Sequence, residues 1–91
     1  MKYIPKNIEI KFTQNKTMKA IVNLNFDDFV IKGFRIMVSE FENSKGDKLW
    51  IVPPSYKGGG GYHPIFYMPD KKKWEKLSGL IWEEYYKQIN T

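Results

Sequence analysis

Residues 18–38 read MKAIVNLNFDDFVIKGFRIMV. From Met18 to Phe26 the apolar side chains fall on alternate positions, with Met18, Ala20, Val22, Leu24 and Phe26 on one face. A period of two marks a strand with one buried side. Asp27-Asp28 suits a tight turn, and residues 29–38 (FVIKGFRIMV) return as a second run rich in β-branched and aromatic residues. Gly33 inside that run predicts a bulge or a close backbone approach.

Upstream, residues 8–13 (IEIKFT) alternate with Ile8, Ile10 and Phe12 on one face. The turn former Asn15 separates them from Met18, which predicts another hairpin. Downstream, residues 39–47 (SEFENSKGD) form a polar connection with Lys45-Gly46-Asp47 at its tip. A strand over residues 48–52 (KLWIV) follows and stops at Pro53-Pro54, because proline cannot donate to a ladder. Residues 65–67 (IFY) are a candidate short fifth strand.

From Asp70 the period changes to 3.6. Trp74, Leu77, Ile81 and Tyr85 lie on one helical stripe, and Asp70 after Pro69 fits an N-cap. Leu80, Trp82, Tyr86 and Ile89 widen the apolar arc beyond what one small sheet covers. Either those aromatics are partly wet or a second subunit covers them, and a homodimer is expected. The fold class expected is α+β: an antiparallel sheet of four to five strands with one C-terminal helix, dimeric.

With 91 residues the chain is read as one domain. An aromatic share of 16 % with 42 % hydrophobic residues favours a folded chain over a disordered one. No cysteine is present, which excludes disulfides, thiolate metal sites and cysteine nucleophiles. No apolar run reaches membrane-spanning length and the first residues lack a signal-peptide core, so a cytoplasmic, non-membrane protein is expected. The net charge is +5 and uneven. Residues 1–26 hold five lysines against Glu9 alone, and residues 55–91 hold six lysines against four acids. A basic excess of this size fits polyanion binding but also occurs in proteins that bind none.

Residues 53–64 (PPSYKGGGGYHP) carry four consecutive glycines. A phosphate-binding P-loop needs a lysine after the glycines at the opening of a helix. Here Lys57 precedes them and Tyr62-His63-Pro64 follows. The run reads as a flexible loop between strands, in which alanine at Gly59 and Gly60 is tolerated. His63 is the only histidine and has no flanking ligands, which makes it a surface or capping residue rather than a metal ligand. Asp27-Asp28 and Glu83-Glu84 are adjacent pairs whose side chains diverge, so neither is an acid–base dyad. No triad, metal set or cofactor loop is assembled, and the chain is expected not to be an enzyme and to need no cofactor or metal.

Lys71, Lys72, Lys73 and Lys76 crowd the start of the expected helix. The helix N-terminus already carries partial positive charge, so each lysine there is unfavourable by about 0.3–1 kcal/mol when exposed. Backbone amides and lysines together favour a phosphate at the same place.

The order of segments resembles the stage V sporulation protein G (SpoVG, septation regulator) family. Three stretches carry the likeness: Met18–Ile31, Phe34–Val38 and Leu49–Ser55, with the helix ending at Glu84-Tyr85 in support. The resemblance spans roughly residues 7–89. It implies a small α+β homodimer that regulates by binding DNA, with RNA as a second ligand class, and no catalysis. Sporulation and septation are the processes the family's name points to. Carried over by position, Lys57 after Pro54-Ser55 and the basic helix start are the nucleic-acid contacts, and Arg35 matches a family position. The glycine run falls in the family's variable loop, whose mobility would let Lys57 reach a backbone. His63-Pro64-Ile65 is similar to a family element but lies a few residues earlier. The rival class is a protein–protein interaction module working through Trp50, Trp82 and Tyr86.

Overall fold

The 18–38 hairpin forms as expected in the computed structural model, which describes residues 4–90. Strand β2 (Met18–Asn25) pairs antiparallel with β3 (Val30–Val38). At the turn Asp27 takes a positive φ of 80° and the Phe26 amide donates to the Phe29 carbonyl at 2.9 Å. β1 (Asn7–Phe12) pairs on the outer side of β2, and β4 (Leu49–Val52) on the outer side of β3. The sheet order is β1-β2-β3-β4. Asn15 makes the first turn with its side chain, whose oxygen accepts from the Thr17 amide at 2.9 Å. The helix α1 runs Lys71–Ile89. The protein is therefore α+β.

Gly33 builds the bulge that its place in the strand predicts. Val22 pairs with Phe34, yet Leu24 pairs with Ile31, so Lys32 and Gly33 together oppose Asn23. Gly33 adopts φ +99° and donates its amide to the Asn23 side-chain oxygen at 3.2 Å. A residue with a Cβ is strained in that conformation. Pro54 packs 3.8 Å from where that Cβ would stand.

One face of the sheet carries the core. Ile10, Ala20, Val22, Leu24, Phe34, Ile36 and Ile51 bury against Leu77, Ile81, Trp82 and Tyr85 of α1. The alternation places them there, because side chains two apart on a strand share a face. Phe34 is the largest side chain wholly removed from water, and apolar burial of that size contributes about 2–3 kcal/mol.

Two departures from the sequence expectations matter. Residues 65–67 are not a strand; Ile65 donates its amide to Pro54 at 2.7 Å, and Phe66 turns in to lie 5.1 Å from the Phe34 ring. Instead, β5 (Ser55–Gly58) and β6 (Gly61–Pro64) form a separate two-stranded hairpin around the glycines. The wide apolar arc of α1 is also covered mostly from within the chain. Trp82 is buried, and the connection after β3 folds back to meet Tyr86. Asn43 donates its side-chain amide to the Tyr86 hydroxyl at 3.0 Å, and that hydroxyl donates to the Asp47 carboxylate. Leu80 is half-buried and Ile89 exposed, so much less apolar surface is left for another subunit than the helical wheel implies. No described helix is long and apolar enough to cross a membrane.

Two glycines should respond to alanine with opposite signs. Gly33→Ala forces a side chain into a left-handed conformation and should cost about 1–2 kcal/mol. Gly79, inside α1 with open space where a Cβ would stand, should gain up to about 1 kcal/mol as alanine. Urea unfolding of the two variants measures both.

Burial, and then its bond to Asp47, push the Tyr86 hydroxyl above its ordinary titration range. A raised folded-state value stabilises the fold below the unfolded value, about pH 10, and that contribution is lost as pH rises through the folded value. Tyr86→Phe removes the bonds to Asn43 and Asp47 and, because they are partly screened by water, should cost about 0.5–1 kcal/mol at neutral pH. The gap between wild type and variant should close above about pH 10 in thermal unfolding followed across pH.

Candidate nucleic-acid interface

The start of α1 is set by Pro69 and Asp70. The Asp70 carboxylate accepts from the Lys72 amide at 3.0 Å and the Lys73 amide at 3.1 Å. This is the N-cap expected at Asp70, and it changes what the site can do. Two first-turn amides that could have held a phosphate are already bonded, so recognition here falls to the side chains. Lys71, Lys72, Lys73 and Lys76 are all exposed and pair with no carboxylate among the described residues. Beyond the cap the first turn holds no acid, so the helix's own field opposes the ammoniums of Lys71, Lys72 and Lys73.

Lys57 lies in β5, not in a slack loop. The register pairs Tyr56 with His63, Lys57 with Tyr62 and Gly58 with Gly61. Gly59 and Gly60 form the two-residue turn, with φ of +49° and +97°. Positive φ at both central positions is the hairpin geometry that matches strand twist and that glycine adopts without strain. The glycines at 59 and 60 are thus required by the turn, and alanine there would be strained even though no atom lies within 4 Å of the added Cβ. Directly opposed residues share a face, so Lys57 and Tyr62 stand on one side of the hairpin and Tyr56 and His63 on the other. His63 donates from Nε2 to the Gly58 carbonyl at 2.9 Å, and its ring lies 5.2 Å from Tyr56. It is a surface residue that braces the hairpin. Among the described residues no group of three His, Asp or Glu is placed to hold a metal.

Arg35 is half-buried in β3, on the face turned away from the helix, and donates to the Ser55 hydroxyl at 3.1 Å. It fixes the point where the hairpin leaves the sheet. The helix start is anchored on the opposite face, around Phe34. Pro54 packs on Gly33, while Phe66 and Trp74 lie 5.1 and 6.4 Å from the Phe34 ring. The segments that lead into the hairpin and into the helix therefore both pack against the middle of β3, although no bond joins Lys57 to the other lysines.

Tyr62 and Tyr56, both exposed, are the additions the structure makes to the candidate residues. An aromatic beside a lysine offers a stacking surface next to a phosphate-binding charge. Their signal in the sequence is Gly-Gly flanked by two four-residue segments, which is hairpin chemistry.

Compared with protein-family models and with curated proteins, the chain matches none. The likeness to the stage V sporulation protein G family rests on the three sequence stretches alone.

Proposed function

We propose that this protein is a non-enzymatic regulator that binds nucleic acid in the cytoplasm, DNA first and RNA as a second class, through Lys57, Lys71, Lys72, Lys73 and Lys76. The observation that carries the reading is the helix start: four exposed lysines, unpaired among the described residues, three of them in the first turn against the helix's own field. A polyanion relieves that repulsion. The Lys57–Tyr62 face of the hairpin extends the same chemistry with an aromatic ring. Assembly as a homodimer is part of the proposal and follows from the family likeness, since Trp82 and Tyr86 are engaged within the chain.

The rival reading as an interaction module through Trp50, Trp82 and Tyr86 keeps only Trp50 as a freely exposed ring, at 54 %. Trp82 is buried, and Tyr86 is half-buried and hydrogen-bonded.

Phosphate contacts release counterions, so log affinity falls against log salt by about 0.9 per phosphate neutralised on duplex DNA. Lys72→Gln with Lys73→Gln should weaken binding to all sequences alike. In a dimer it should flatten the salt slope by about 3–4 units. Glutamine keeps helix propensity, so the melting temperature should hold or rise. Unchanged affinity and slope, read by fluorescence anisotropy across a salt series, would exclude the helix start as the contact surface.

A further inference from the structure

We propose that the groove between the free edge of β4 and the first half of α1 is a docking site for an extended basic peptide of another protein. The site borders the lysine surface along α1 but does not depend on the nucleic-acid reading.

β4 is an edge strand, paired only with β3. The Ser39 amide donates to the Lys48 carbonyl at 2.9 Å, which sets the phase of the β3–β4 ladder. In an antiparallel pair, residues that exchange bonds alternate with residues that do not. Trp50 and Val52 therefore bond to β3, while the backbone groups of Leu49 and Ile51 point off the open edge. Asp47 takes the Leu49 amide at 2.8 Å. The Leu49 carbonyl and both groups of Ile51 are left facing outward. An unpaired edge of this kind accepts an added strand.

Beside that edge lies a cavity of about 620 Å³. Trp74 and Trp82 line it from the helix, and Phe41 stands at its mouth with 79 % of its surface exposed. Gly79 also lines it, with nothing within 4 Å of the place a Cβ would occupy. Glycine inside a helix costs about 0.8–1 kcal/mol relative to alanine. Here its small size keeps the groove deep enough for an apolar side chain of a strand laid on β4.

Charge decides the occupant. On a chain of net charge +5, no lysine or arginine lines the groove, while Glu42 and Glu75 do. Neither glutamate makes an ion pair or a side-chain hydrogen bond among the described residues. An acidic mouth over an apolar floor and an open strand edge fits a segment in which lysines or arginines flank apolar residues. Polyanions and acidic peptides are repelled by the same mouth.

The probe is the blocked peptide acetyl-KKILVKK-amide, titrated against the full chain by calorimetry and tryptophan fluorescence. Saturable binding is expected, weakened about tenfold or more for acetyl-EEILVEE-amide. N-methylation of alternate peptide amides should abolish it, because the added strand then loses its bonds to Ile51. Gly79→Leu fills the notch without a clash at its Cβ and should weaken binding about tenfold while the melting temperature holds or rises. Glu75→Lys should weaken it as well. Equal binding of the two peptides, or full affinity in both variants, overturns the proposal. So does absence of peptide binding together with a dimer that Gly79→Leu dissociates, which would assign the groove to a second copy of this chain.

Discussion

Phe34 sits where three parts of the chain meet, and the rest of the structure depends on that meeting. Its ring is fully withdrawn from water and lies 5.1 Å from Phe66 and 6.4 Å from Trp74. Phe66 and Trp74 lie 6.4 Å apart, so the three rings close on one another. Such aromatic groups contribute beyond their buried area when tilted or edge-on. The cluster packs Phe66 of the linker and Trp74 of α1 against the sheet, while Asp70 caps the helix between them. The neighbouring bulge at Gly33 leaves room for Pro54, and the Arg35–Ser55 bond fixes the next residue. A short two-stranded hairpin is marginal alone. Here it is anchored to the sheet by the Arg35–Ser55 bond and by Pro54 beside Gly33.

The consequence is a separation of charge on a small domain. The lysines of the helix start and Lys57 follow segments that pack near Phe34 and Gly33. The groove along β4 carries Glu42 and Glu75 and no cation. Both surfaces draw on the same helix, whose first turn points lysines outward while Trp74, Ser78 and Trp82 line the groove. Asp70 completes the division by occupying the Lys72 and Lys73 amides, so that cationic side chains are the main feature facing a polyanion.

Strands β1 to β4 and the helix were legible because each buries one face, and burial leaves a period. Ala20, Val22 and Leu24 are all fully buried, as their alternation says. Leu77, Ile81 and Tyr85 keep the helical period for the same reason. The β5–β6 hairpin escaped because Tyr56, Lys57, Tyr62 and His63 are all exposed. A strand pair wet on both faces has no apolar period, and only the Gly-Gly turn betrays it. The cover over Tyr86 was hidden for another reason. It consists of hydrogen bonds from Asn43 and to Asp47, about forty positions away in sequence, which no local pattern records. The lysines of the site were legible as charge. That the N-cap and a phosphate would compete for the same amides follows only from the Asp70 bonds.

The central claim is that the basic helix start and the Lys57–Tyr62 face of the hairpin meet nucleic acid. Amide chemical-shift mapping during titration with a duplex DNA and with a single-stranded RNA, at low salt, tests it most directly. The account predicts the largest shifts at Lys57, Tyr62 and residues 71–76, with Leu49, Ile51 and Gly79 unmoved. Absence of shifts with either nucleic acid, or shifts confined to the groove along β4, would contradict it.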